Sequence, residues 1–156
     1  MLHIALFEPE IAPNTGNIAR LCAATGAHLH LIGRLGFHLD DRSLKRAGLD
    51  YWPSVKVQLH TTIQQFEREF IGDGDTAGSG RIICFSAHAT KRFTEIQYQS
   101  GDCLLLGSES RGLPESFLHK YHETTVTIPM PGGKVRSLNL ATAAGIALYE
   151  ALRQLH

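Results

Sequence analysis

Short apolar runs alternate along this chain with segments of helical spacing, and that alternation constrains the fold more than any other feature. Residues 2–7 (LHIALF), 28–33 (HLHLIG), 55–60 (VKVQLH), 81–87 (RIICFSA), 101–109 (GDCLLLGSE) and 124–130 (TTVTIPM) read as strands. Helical patterns lie between them. Residues 17–25 place Ile18, Leu21, Cys22 and Thr25 on one face, with Gly26 as C-cap. A short basic helix is expected over 40–50, capped by an Asp, and another over 61–70 with Ile63, Phe66 and Phe70 inward. A short helix starts at Pro114, and a final helix, capped by Ser137, runs to Gln154. Such alternation implies an α/β fold: a mainly parallel sheet with helices on both faces. The stretch 72–80, GDGDTAGSG, reads as a flexible loop within the same alternation, so a single domain over 1–156 is expected.

Composition narrows the function classes. At 156 residues, 43% hydrophobic and 19% charged, the chain can bury one real core and does not read as disordered. No apolar run approaches the roughly 18 residues of a membrane span. The opening MLHIALFEPEIAP lacks a basic start and meets Glu8 and Glu10 early, which points away from a secretory signal and towards the cytoplasm. Cys22, Cys84 and Cys103 are widely spaced with no CxxC, and read as small core residues. Fifteen basic residues balance fifteen acidic ones, which argues against binding nucleic acid by bulk charge but leaves room for a local basic patch. The nine histidines show no HExxH or paired spacing, so no metal is expected. His28 and His30 alternate along a strand and are expected half-exposed on one side. Neither GxGxxG nor GxxxxGK[ST] occurs, which removes the usual dinucleotide and phosphate loops.

In parallel sheets ligands bind beyond the carboxyl ends of strands. Three loops there carry the chemistry. EPEIAPNTGNIAR supplies Asn14, Asn17 and Arg20; Asn17 suits a helix cap, and Arg20 one turn inside could reach a phosphate or a carboxylate. GSESRGLPE supplies Gly107, where a ligand or another backbone can come close, and Glu109. That carboxylate needs partners to sit beside a buried strand: Arg20, a substrate amine, or backbone N–H groups. IPMPGGKVRSLNL combines glycines and prolines with Ser137 and Asn139, and opens a helix whose inner face is small: Ala141, Ala144, Gly145, Ala147, Leu148 and Ala151.

Together, EPEIAPNTGNIARLCAATG, GSESRGLPES and IPMPGGKVRSLNLATAAGIALYEALRQ resemble the three signature motifs of the SPOUT-class RNA 2′-O-methyltransferases. Within that class the chain is most similar to the small TrmL type, which methylates the wobble nucleotide of tRNA. The resemblance spans essentially the whole chain, including Lys45 to Trp52. It implies a C-terminal trefoil knot, a homodimer, S-adenosylmethionine as methyl donor and tRNA as substrate. By position in the motifs, Phe85, Gly107, Ile128, Met130, Ser137 and Leu138 match the cofactor site. Arg20 matches the catalytic arginine; Asn14 and Asn17 would orient it and the ribose, with Glu109, Ser137 and Asn139 in support. Arg111, Tyr149, Lys45 and Arg46 are the expected substrate contacts; Lys45 and Arg46 belong to a local basic set with Arg34, Arg42, Lys91, Arg92, Lys134 and Arg136. Ala141 and Thr142 stand where many relatives carry Ser-Asn, a departure that bears on substrate more than on reaction. The same chemistry on another tRNA or rRNA site, or a non-catalytic RNA-binding role, are the alternatives; an ordinary nucleotide-binding oxidoreductase lacks its glycine fingerprint.

Overall fold

The structure, a computed structural model, describes residues 1–40, 42, 46, 49–72 and 80–156. Six strands form one sheet in the order β3-β2-β1-β5-β4-β6. They are β1 (His3–Phe7), β2 (His28–Ile32), β3 (Val57–His60), β4 (Ile82–Phe85), β5 (Cys103–Leu106) and β6 (Thr125–Val126). Every neighbouring pair is parallel. The α/β expectation therefore holds. The central strands are apolar on both faces, as a parallel sheet covered on both sides requires. Ile4, Leu6, Leu29, Leu31, Leu104 and Leu106 face one core, with Ile18 and Cys22 of α1 (Ala12–Thr25) and Ala144, Ala147, Leu148 and Ala151 of α4 (Leu140–Leu155). Their alternates Ala5, Ile32, Cys103 and Leu105 face the other core, against Ile63 and Phe66 of α2 (Ile63–Ile71) and Phe117 of α3 (Glu115–Lys120). Each fully buried Leu, Ile or Phe contributes about 1.5–3 kcal/mol. All three cysteines lie buried in these layers, and burial pushes the Cys22 and Cys84 thiols up to about 12.

Four local readings need correction. The first helix begins at Ala12, five residues before the expected start, because Pro13 occupies its first turn, where no N–H is needed. Asn17 is thus an exposed residue inside α1 and caps nothing; the N-cap is Ile11, whose side chain makes no cap bond. At the last helix the cap is Asn139, accepting the Thr142 N–H at 3.1 Å, and Ser137 lies two residues outside. β6 spans only Thr125–Val126, since it is an edge strand and Pro129 and Pro131 cannot donate to a ladder. His30 is 2% exposed rather than half-exposed, because α2 covers that face of the sheet. Gly26 does cap α1, at φ +78° with its N–H on the Cys22 carbonyl. Residues 73–79 of the expected loop 72–80 and most of the basic helix over 40–50 lie outside the described residues.

The tail returns across the molecule. Beyond β6, Thr127 is held by the β4–β5 connection: its N–H donates to the Lys91 carbonyl and its carbonyl accepts the Phe93 N–H. α4 then packs against α1 and β5 in the first core. Near its end Gln154 accepts the Tyr98 N–H and donates to the Ile96 carbonyl. One connection therefore grips the tail at both ends.

Candidate active site

The strand order β1-β5-β4-β6 sets four carboxyl ends side by side, so the loops that follow them share one edge. Phe85 ends β4 between Leu106 of β5 and Val126 of β6 in register. Gly107 follows Leu106 directly. The loop after β1 leaves the sheet under strain: Glu8, at φ +47°, is the only non-glycine residue at positive φ among the described residues. Its carboxylate accepts the Arg34 N–H at 3.1 Å, tying this turn to the one after β2.

Three loops meet at Asn14, which is 6% exposed. Its side-chain amide donates to Glu109 Oε1 at 3.3 Å, and its Oδ1 accepts the Asn139 amide at 2.9 Å. Glu109 also accepts the N–H groups of Glu10 (2.7 Å) and Ile11 (3.2 Å). The carboxylate thus takes backbone N–H groups, as one of its expected partners, and the Asn14 amide beside them. It takes the N–H of the N-cap residue Ile11 and of Glu10 just before it, from a distant loop, and places negative charge at the helix N-terminus, where the dipole favours it. A second latch lies beside it. Ser110 donates through its hydroxyl and its N–H to Glu10 Oε1, and these bonds hold the Glu10 carboxyl below the usual carboxylate range.

The second loop folds so tightly that a Cβ on Gly107 would lie 2.1 Å from the Gly112 carbonyl carbon. Another backbone, then, is what comes close at Gly107. Gly112, at φ +68°, makes the reversal and returns its N–H to the Ser108 carbonyl. Arg111 is exposed on this turn.

The residues expected to hold a nucleoside fit one. Ile128, Met130 and Leu138 are half-buried, and Ile128 packs against the core that contains Phe85, which is 9% exposed. The N–H groups of Ile128, Met130 and Leu138 reach no backbone acceptor among the described residues. Apolar side chains with spare backbone donors between them suit an adenine. Ser137 is exposed at the mouth of the same loop.

Arg20 stands apart from the Glu109–Asn14–Asn139 lock. It is exposed, as is Asn17 three residues earlier on the same helix face. Asn14 does not orient it, since that amide is committed to Glu109 and Asn139. The guanidinium instead lies over the Tyr51 ring, 5.4 Å from its centroid. Tyr149 is 57% exposed on α4, Arg46 is exposed, and Lys45 lies outside the described residues. Sequence reading missed Glu10, Ser110 and Tyr51. The first two carry no motif spacing of their own; Tyr51 sits in a segment whose contact with α1 is purely tertiary. Among the described residues no three His, Cys, Asp or Glu side chains gather as a metal-holding group.

The fold and this locked carboxyl edge define a methyltransferase class: the chain belongs to the SpoU rRNA methylase family, whose model matches residues 1–149. Among individual relatives, the tRNA (cytidine(34)-2′-O)-methyltransferase of Yersinia pestis is 45% identical over 157 residues, covering 99% of this chain and 94% of that protein. A solved structure concerned with 2-OH methylation of C/U34 on tRNA is 51% identical, with a TM-score of 0.90 over 99% of this chain and 96% of that one. The SpoU methyltransferase AviRb of Streptomyces viridochromogenes, in complex with the cofactor AdoMet, is 26% identical. It matches with a TM-score of 0.87 over 99% of this chain and 60% of its own.

Proposed function

We propose that this protein is an S-adenosylmethionine-dependent tRNA (cytidine/uridine-2′-O-)-methyltransferase acting on the ribose of the wobble nucleotide, position 34. The observation that carries this reading is the Glu109–Asn14–Asn139 lock, which draws all three signature loops to one edge of the sheet. The names of the full-length relatives supply the substrate. Phe85, Gly107, Ile128, Met130, Ser137 and Leu138 would hold the donor. S-adenosylmethionine supplies an electrophilic methyl on a sulfonium. Bound there, it would give that methyl to the ribose 2′-oxygen and depart as the neutral thioether, with the hydroxyl proton passing to solvent.

The residues of this chain align and polarise the acceptor. Arg20 is a permanent cation and cannot serve as a base. It binds the phosphate next to the target ribose and stabilises charge building on the 2′-oxygen. Asn17, on the same exposed face, orients the ribose. Glu109, Asn14 and Asn139 hold α1 so that Arg20 meets the donor loops, and Ser137 lies at the rim. Arg111, Tyr149, Lys45 and Arg46 contact RNA. Of the wider basic set, the described members Arg34, Arg42, Lys91, Arg92, Lys134 and Arg136 are all exposed, which suits phosphate contacts. The tail gripped at both ends by the β4–β5 connection fits a trefoil knot. A homodimer brings Arg111 and Tyr149 of two copies onto one RNA surface, and a cytoplasmic location accords with a tRNA substrate.

The test is transfer of labelled methyl from S-adenosylmethionine into unmodified tRNA, with mapping of the product nucleotide. Label at the 2′-oxygen of nucleotide 34 supports the proposal. Label only elsewhere in tRNA, or in rRNA as the family description suggests, supports the same chemistry on another site. Arg20→Ala should lower kcat about 10²–10³-fold, the cost of losing one charge-stabilising donor, while S-adenosylmethionine binding by calorimetry stays within about twofold. Undiminished turnover removes Arg20 from the chemistry.

A further inference from the structure

The 3₁₀ turn Leu49–Ser54 packs against α1 and sets two aromatic residues in different roles. Trp52 is half-buried against the first core, and the Val55 N–H closes the turn on its carbonyl at 3.1 Å. The turn is thus anchored from within. Tyr51, its neighbour, is 42% exposed and carries the Arg20 guanidinium on its ring face. Among the residues whose side chains are described, a set that leaves out Asp41 and Asp50, no carboxylate pairs with Arg20.

This choice of partner has a chemical consequence. An arginine on an exposed helix face sweeps many rotamers, and freezing it at the moment of reaction slows an in-line transfer. A carboxylate would hold it but would also cancel its charge and occupy its N–H donors. An aromatic face holds a cation through the ring quadrupole and leaves both charge and donors free. Tyrosine adds only two rotatable bonds of its own, and its turn is already pinned by Trp52. We propose that Tyr51 is a positioning residue for the methyl transfer: its ring pre-aims Arg20 at the ribose and its phosphate without neutralising it. This rests on the reading of Arg20 as the cation at the reacting 2′-oxygen.

Steady-state methylation of unmodified tRNA by full-length Tyr51→Leu, Tyr51→Gln and Tyr51→Phe tests it, with Arg20→Ala alongside and thermal melting as a check on folding. Loss of the ring in Tyr51→Leu and Tyr51→Gln should lower kcat about three- to tenfold, with KM for both substrates within about twofold. Tyr51→Phe keeps the quadrupole and should stay within about twofold of the parent. The Arg20 side-chain resonances should lose their ring-current shift in the Leu and Gln variants and keep it in the Phe variant. Full kcat in both ringless variants overturns the proposal. So does a rise in KM for tRNA alone, which would make Tyr51 a platform for a nucleobase. Full turnover by Arg20→Ala sinks the underlying reading instead, whatever the Tyr51 variants do.

Discussion

Glu109 shows how much one side chain can organise. It satisfies two backbone donors at the start of α1 and one amide on Asn14, from a loop 95 residues away in sequence. Replacing it with Ala leaves these donors at a helix N-terminus whose own cap residue, Ile11, offers nothing. The expected cost is about 1–2 kcal/mol, a fall in Tm of roughly 3–8 °C for a chain of this size. Turnover should fall with it, since Arg20 rides on the released helix. An unchanged Tm with abolished turnover would mean instead that the carboxylate acts on the substrate directly. The residues of this lock were legible one at a time, through motif position. Their pairing was not, because hydrogen bonds between positions 95 and 125 residues apart are set by how the strands stack side by side. Gly107 was legible as a point of close approach, and the Gly112 backbone is what approaches.

Elements were read best where the hydrophobic period is strong, and worst at their ends. The strand runs of β1, β2, β4 and β5 and the inward Ile63 and Phe66 of α2 follow directly from pattern. The start of α1 did not, because a helix start tied down from another loop carries no local capping signal. β2 misled in another way: alternation says which side His30 faces, not what covers that side. Under α2, His3 Nδ1 lies 2.9 Å from His30 Nε2, and His30 Nδ1 lies 3.0 Å from His60 Nε2. His60 Nδ1 is 2.9 Å from Glu69 Oε2, and these residues line a cavity of about 290 Å³ with Gln58 and Phe70. Burial first, then neighbouring imidazoles, pushes His3 down to about 4 and His30 down to about 3. Both folded values lie below the unfolded one near 6.5. From about pH 6.5 down towards 4 the unfolded chain therefore binds more protons, and folding stability falls as pH falls. With two such groups the slope reaches at most about 2.7 kcal/mol per pH unit, less what solvent screens at half-buried His3. Denaturant melts from pH 8 to 4 should be flat above about 6.5 and drop below it. The His30→Gln variant should flatten the drop, and an unaltered profile would assign acid sensitivity elsewhere.

At the scale of the whole molecule, the outward face of α4 is unlike the surface around it. Ile146 is 38% exposed and Tyr149 57%, three residues apart on one helix face, while Ala144, Ala147 and Leu148 on the inner face are fully buried. The helix is thus apolar on both sides, although a tail helix on a monomer needs only one such side. A net charge of zero raises no long-range barrier between two copies. If this face is where the copies of the proposed homodimer meet, Ile146→Glu places an unpaired charge in a desolvated contact. Losing several kcal/mol there raises the dimer dissociation constant by at least about 10²-fold. Sedimentation should then show monomer at concentrations where the parent is dimeric. The melting temperature should hold when parent and variant are compared as monomers, because Ile146 lies outside the core. Methylation should fall with the dimer and recover as protein concentration rises, since the proposed RNA surface is shared between copies. An Ile146→Glu variant that stays dimeric would move the subunit interface off α4.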